Sequence, residues 1–322
     1  MASLKKYLKK EDLKTVSKGY ILHANNCFQR NELDIAEKYI FPHMNHLALR
    51  DYVYAVQILH AEHFLEYIGN FRIHKDENAG FLFWMYNDCW PTSSWTTHDY
   101  YVARKPLYYY VKRAFEPVAL FIEEITGGLS FWAVNDTDRE FKGKLKLGRY
   151  YFANGCEFEK EVKIKIRPRA AVNLAKIATT LLHPWSALSS FVYAELELEG
   201  CREKITARKL FTSFRGFSCM DFSFNPKYYA HKAMPEPGIA IKKLSGDSYQ
   251  LSTDYPAFGI TLDEETGPDD NCFDLMPWEK KTIRVKKGGG GIRCQTINGL
   301  VRLLMRLAVK NRGKYENDII TY

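Results

Sequence analysis

The sequence predicts a multi-domain α+β chain: a helix-rich first third that ends like part of a (β/α)8 TIM barrel, followed by immunoglobulin-like β-sandwich domains. Three observations predict it. The 322 residues suffice for two or three domains at about 100–200 residues each. A continuous apolar run, Gly80–Tyr86 (GFLFWMY), stands between two helical patterns. Beyond Pro117 the helical spacing gives way to short alternating runs separated by turn residues. Composition agrees, since 46% hydrophobic and 26% charged residues exclude disordered and collagen-like chains.

Residues 1–79 read as helical, and Asp51–Ile68 carries a broad apolar face that includes Val53, Val56, Leu59, Phe64 and Ile68. Gly80–Tyr86 suits a strand buried on both faces, as in a parallel sheet covered by helices, and NDCWP ends it. Lys105–Phe115 is the next helix, with Pro106 near its start, where a missing N–H costs nothing. Helix, buried strand, loop and helix are the cadence of a β/α barrel, but only about one and a half such units are present. Six runs follow: Val118–Ile122, Leu129–Val134, Lys144–Tyr151, Glu161–Ile166, Val192–Leu198 and Thr206–Phe214. Their spacing of ~10–15 residues suggests an immunoglobulin-like sandwich over 116–232. PEPG (235–238) is a break, and a second β domain covers 233–287 with runs IAIKKL, YQLST, FGITL and KTIRV. GGGG (288–291) reads as a flexible linker to a basic tail, 288–322. Ile297–Lys310 can be helical with Arg302, Arg306 and Lys310 on one face, and by composition the tail reads as a solvated extension.

The net charge of +8 looks like a nucleic-acid signal until it is located. Residues 280–315 hold eleven Lys/Arg and no Asp/Glu, so the rest of the chain carries −3. The body is not basic, and its aromatics are not interleaved with cations as a single-strand binder needs. No apolar run reaches the ~18 residues of a membrane span, so no membrane partner is expected. The N-terminus has no apolar signal region, and the seven scattered cysteines contain no CxxC. These features favour a cytoplasmic chain without a disulfide framework.

Most titratable clusters read as surface. His60, His63 and Glu66 share a helix side but lack HExxH spacing, so packing is expected there rather than a metal, and no cofactor is expected. Glu123–Glu124, Glu195/Glu197/Glu199 and Asp263–Glu264–Glu265 lie on strands and hairpins as solvated faces. No phosphate-binding loop or GxSxG nucleophile elbow is present. Asn135-Asp136-Thr137 is a glycosylation sequon, meaningful in a secreted chain. The informative segment is Gly80–Phe115. Trp84 lies late on the predicted strand, at the end where barrel active sites open, and Asn87, Asp88, Trp90, Trp95 and Asp99 follow on the bordering loop. Aromatic faces stack on sugar C–H faces while amides and carboxylates fix hydroxyls.

The segment GFLFWMYNDCWPTSSWTTHDYYVARKPLYYYVKRAFEPV resembles the last strand, loop and helix of the catalytic barrel of glycoside hydrolase family 2, in its β-mannosidase branch. That branch carries [YW]WQLND-WP-x-x-SW-x-x-x-DY[YF]G followed by KALHY or KALYY. The match runs through Trp84, Asn87-Asp88, Trp90-Pro91, Ser94-Trp95, Asp99-Tyr100-Tyr101 and Lys105–Tyr109. Met85-Tyr86 stand where Gln-Leu is usual, and Val102 where Gly is usual. Upstream, Gln57 and Ala61-Glu62 fit the family's Q-x-x-Q-A-E helix, with His60 replacing the second Gln. Downstream, Phe131–Thr137 is similar to the V-x-N-D-T strand of the following domain. Asn225-Pro226-Lys227 with Pro235 and Pro237 resembles the junction to the terminal β domain, and Asn271–Pro277 its D-N-[FY]-F-D-L-x-P turn.

The resemblance implies a C-terminal remnant of the TIM barrel in 1–115, with its last strand at about 80–86, ahead of the sandwich domains. It implies a retaining exo-β-mannosidase that removes terminal β-D-mannosyl residues using two glutamates ~5–5.5 Å apart. Both glutamates are expected upstream of this chain, which reads as starting at an internal methionine just past the nucleophile; no Ser-Glu-[FY]-Gly occurs in 1–322. No catalytic residue is therefore assigned, and the chain alone is expected to be inactive. Its expected partners are a β-mannoside oligosaccharide and the missing N-terminal domains of the same enzyme. Trp84, Asn87, Asp88, Trp90 and Trp95 are the expected substrate-binding residues. An exo-β-glucosaminidase or other family 2 fragment, and a non-catalytic carbohydrate-binding or scaffold protein, are the alternatives.

Overall fold

The computed structural model describes residues 1–15, 17–23, 47–93, 96–178, 190–210, 234–263, 266–286 and 292–315. The chain divides into two compact units: a sandwich unit from 61–83 and 110–217, and a composite unit from 1–60, 84–109 and 218–322. Most regular structure is β-sheet, with few helices.

In the sandwich unit the alternation of apolar and polar residues sets two antiparallel sheets. One has the order β1-β2-β5, from Val118–Ile125, Gly128–Asn135 and Ala171–Ala178. The other has the order β4-β3-β6-β7, from Phe141–Tyr151 (β3), Gly155–Ile166 (β4), Ser190–Leu198 (β6) and Ile205–Leu210 (β7). Leu145 and Leu147 point inward from β3 while the alternating Lys142, Lys144 and Lys146 point out, the period-2 pattern of a half-buried strand. Leu120, Leu129 and Phe131 from one sheet meet Leu145, Val192 and Leu196 from the other in one core. Each such side chain contributes roughly 1.5–3 kcal/mol by leaving water.

The six expected runs lie on strands, although residues 211–214 of the sixth fall outside the described residues. β5 was not expected. Among the described residues it pairs only with β2, at the end of its sheet, and its side chains are mostly half-buried without clean alternation. Residues 61–73 of helix α3 (Leu49–Ile73) and 110–114 of helix α4 (Pro106–Ala114) pack with Phe121 and Val134 through Ile68, Ile73 and Ala114. Arg72 donates to the Ala114 carbonyl and to Asp136 Oδ2 at 2.6 Å. Lys209 pairs with Glu66 at 2.8 Å and Glu124 at 3.1 Å. The sequon is closed: Asn135 is fully buried, and its amide donates to the carbonyls of Arg139 (2.7 Å) and Arg167 (2.9 Å).

In the composite unit, short helices α1 (Leu4–Tyr7) and α2 (Lys18–Leu22) precede α3. Two small antiparallel sheets share one core. They have the orders β12-β9-β8 (Lys281–Arg284, Ser248–Thr253, Ile239–Lys243) and β11-β10-β13 (Phe273–Leu275, Ala257–Leu262, Cys294–Gln295). The four expected runs coincide with β8, β9, β10 and β12; the short β11 and β13 were not foreseen.

The reading of the tail as a solvated extension is corrected. β13 pairs with β10, and helix α5 (Ile297–Tyr315) buries Ile297, Leu300 and Leu304. Asn298 fastens its first turn: Oδ1 accepts from Phe258 N at 2.9 Å, and Nδ2 donates to the carbonyls of Pro256 and Pro235. The i, i+3, i+7 spacing of the three apolar residues is the pattern of a docked helix face.

Candidate functional site

Residues 80–86 form no strand and pair with none among the described residues, which corrects the expected strand buried on both faces. A parallel strand is buried only when neighbours hydrogen-bond both its edges and layers cover both its faces. Here the alternation of a strand persists without the sheet. Phe81 and Phe83 stack on Phe64, with centroids 6.4 and 5.8 Å apart, and Phe81 also meets Phe71 at 5.1 Å. The alternate side chains face outward: Leu82 is 99% exposed, Trp84 78%, and Tyr86 is exposed as well. The Trp84–Met85 peptide is cis.

The loop that follows is folded around a buried charge. Lys105 Nζ lies 2.6 Å from Asp88 Oδ2 and 2.8 Å from Thr96 Oγ1, with side-chain exposures of 6% for Lys105 and 0% for Asp88. The Thr96 hydroxyl lies 2.9 Å from Asp88 Oδ1 and 2.7 Å from the His98 carbonyl. Backbone bonds run alongside, from Asp88 N to His98 O at 3.1 Å and from Lys105 N to Thr97 O at 2.8 Å. The Tyr86 carbonyl accepts from Thr97 N and His98 N at 3.0 and 3.1 Å and from the Thr97 hydroxyl at 2.5 Å. Asp99 closes the next turn, its Oδ1 accepting from Tyr101 N at 2.8 Å and Ala103 N at 2.9 Å.

Burial pushes the Lys105 ammonium below its ordinary range, while the Asp88 carboxylate pulls it back up. The His98 imidazole is also lowered, by burial first and then by the neighbouring Arg104, against the opposing pull of Asp99.

The expected substrate-binding residues therefore separate. Trp84 and Asn87 face solvent, and the Asn87 amide makes only a 3.3 Å contact to the Asp88 carbonyl. Asp88, expected to bind substrate, lies beneath the surface with its carboxylate against Lys105 and Thr96. Trp90 is half-exposed and stacks on His23, with centroids 5.0 Å apart and planes inclined by 15°. His23 Nδ1 lies 2.7 Å from the Pro91 carbonyl, and Tyr20 OH lies 2.6 Å from Ser93 Oγ. Burial pushes the Tyr20 hydroxyl up to about 12, so it stays protonated. Trp95 lies outside the described residues.

Sequence reasoning missed Thr96 and the clamping role of Lys105, although Lys105 stands in the motif that carries the resemblance. Among the described residues no three His, Cys, Asp or Glu side chains gather to hold a metal ion. The segment offers an outward indole and the solvent-facing Asn87 amide near it, groups that bind sugars. Its carboxylates at Asp88 and Asp99 are committed to the loop, so it offers no acid/base pair.

No family model matches the chain. Its sequence is similar to curated β-mannosidases B: 27% identical over 293 residues to that of Aspergillus niger and 26% over 296 residues to that of Aspergillus clavatus. Each alignment covers 83% of this chain and 33% of the relative, so the chain spans about a third of their length. Among solved structures, the β-D-mannosidase of Dictyoglomus thermophilum superposes with a TM-score of 0.75 at 26% identity, over 92% of this chain and 36% of that one. The exo-chitosanase of Amycolatopsis orientalis shares the fold, with a TM-score of 0.67 at 15% identity over 92% of this chain and 40% of that one. The resemblance to the β-mannosidase branch of glycoside hydrolase family 2 holds, and these relatives are consistent with a C-terminal part of such an enzyme.

Proposed function

We propose that these residues form the C-terminal portion of a retaining exo-β-mannosidase, which removes terminal β-D-mannosyl units from oligosaccharides. The observation that carries the reading is Trp84, a residue 78% exposed on a segment whose alternate residues, Phe81 and Phe83, are packed. In this reading 1–115 close the catalytic barrel, 116–232 form an immunoglobulin-like sandwich and 233–287 a terminal β domain. The order β1-β2-β5 against β4-β3-β6-β7 supports the sandwich assignment, since it sets three strands against four with hairpins inside each sheet and the β2–β3, β4–β5 and β5–β6 connections crossing between them. Residues 80–86 become the last barrel strand once neighbours pair both its edges, and Leu82, Trp84 and Tyr86 then turn to the barrel interior.

Trp84 acts as an apolar wall of the glycone site. Its face stacks on the C–H surface of the sugar, excludes water and orients the ring as oxocarbenium character develops. Asn87, beside it, is placed to hydrogen-bond a sugar hydroxyl. The acid/base and the nucleophile come from carboxylates outside 1–322, so the chain by itself is inert. The test is hydrolysis of aryl β-D-mannoside by the longest product of the reading frame that holds these residues, against the pure 322-residue chain. Turnover by the long product alone supports the reading; turnover by the short chain contradicts it. The shared fold with an exo-chitosanase favours a glucosaminide-cleaving relative as the second reading. A panel of aryl β-mannoside and β-glucosaminide decides between them.

A further inference from the structure

We infer that Lys105 is a positioning residue of the sugar site, acting through Asp88 and Thr96 to hold Trp84 and Asn87 in place. The inference rests on the sugar-binding role proposed above, but its structural half stands independently. Lys105 touches neither Trp84 nor Asn87 through any contact described; it acts at one remove. Its ammonium joins the start of the loop, at Asp88, to the returning strand of the loop, at Thr96, across 17 and 9 residues of sequence. Thr97, next to Thr96, donates both its N–H and its hydroxyl to the Tyr86 carbonyl. The backbone carrying Trp84 and Asn87 is thus held from the loop's far side, and Lys105 N itself bonds to Thr97 O at 2.8 Å.

Stability alone does not account for the pair. Two charges taken out of water recover little over an apolar pair of similar size, so a buried ion pair is weak evidence of stabilisation. What it supplies is direction. An ammonium with oxygen partners at 2.6 and 2.8 Å fixes the loop in one arrangement, whereas apolar contact tolerates several. Catalytic proton transfer is excluded for Lys105 because its side chain is only 6% exposed and committed to Asp88 and Thr96.

The experiment compares three forms of the longest product of the reading frame: wild type, Lys105→Met, and Lys105→Met with Asp88→Leu. The single variant leaves the Asp88 carboxylate buried without its cation and is expected to be unstable. The double variant removes both charges and is expected to recover the wild-type midpoint of thermal unfolding. Two readings are then taken on it. Hydrogen exchange at the amides of Asp88, Thr97 and His98 is expected to quicken at least tenfold, while Leu145 and Val192 in the sandwich keep their protection. Turnover of aryl β-D-mannoside is expected to lose at least tenfold in kcat with little change in KM. Unchanged exchange at the three loop amides overturns the clamp whether or not the protein is active. Quickened exchange with unchanged kcat in an active protein overturns the positioning role. A wild-type product without turnover defeats the proposed function instead, and the exchange result still decides the clamp.

Discussion

Val102 lies in the left-handed region, with φ of 65°, and its side chain is 76% exposed. A β-branched residue there crowds its own backbone, at a cost of about 1–2 kcal/mol, and an exposed isopropyl group recovers little by packing. The motif that this segment resembles has Gly at this place. Val102→Gly is expected to stabilise the chain by about 1 kcal/mol, after subtracting the extra chain entropy that Gly loses on folding. A higher urea midpoint at constant slope checks it. Asn135 makes the opposite case. With its amide buried and bonded to two carbonyls, the sequon cannot receive a glycan in the folded chain. Asn135→Ala is expected to cost about 1–2 kcal/mol through the loss of its bonds to two part-buried carbonyls, read in the same denaturation experiment. Asp88 marks the limit of sequence reading at this scale. Its residue type and place beside Trp84 suggested a sugar ligand, but nothing in the order of residues says that Lys105 folds back onto it.

At the scale of elements, alternation made the strands legible, because a half-buried strand writes its two faces into the sequence. It failed for β5, a strand at the end of its sheet with little contrast between faces, and for Gly80–Tyr86. A continuous apolar run reports that burial is available, not which partners supply it. Composition misled at α5, where the basic residues drew attention from Ile297, Leu300 and Leu304. Asn298→Ala is expected to destabilise the composite unit by about 2 kcal/mol, because it strands the Phe258 N–H and two proline carbonyls. Limited proteolysis is expected to cut within α5 sooner in that variant. Gly259 shows the same seat from below: φ is +57°, and a Cβ there would lie 2.8 Å from Ile297 Cγ1.

Between α3 and the β2 turn, Asp136 accepts from Arg72 and Lys75, both at 2.6 Å. Burial alone would raise its pKa; the two cations outweigh burial and hold it below the ordinary 3.8. The folded value is the lower one, so the contribution is fully present above the ordinary 3.8 and is lost as the pH falls from there through the depressed folded value. Asp136→Asn is expected to be less stable than wild type at pH 7, by under about 1 kcal/mol for a half-exposed carboxylate. The gap should close in acid, which unfolding at pH 7 and pH 2.5 will show.

For the whole molecule, the charge pattern and the apolar surface point the same way. The body without its basic stretch is mildly acidic, which does not suit a nucleic-acid binder. Leu82, Trp84 and Tyr86 stay exposed on one short segment, an apolar surface of the kind that marks an interaction site. The β-rich runs on either side of PEPG were readable from alternation and turn residues. The exposure of Leu82, Trp84 and Tyr86 was not, because an apolar run does not name the groups that cover it. The most direct measurement is kcat/KM for aryl β-D-mannoside, comparing wild type with Trp84→Ala in the longest product of the reading frame. A wall of the glycone site predicts clear turnover by wild type and a loss of about 100-fold or more in the variant. A wild type without turnover, or a variant within twofold of wild type, would contradict the account.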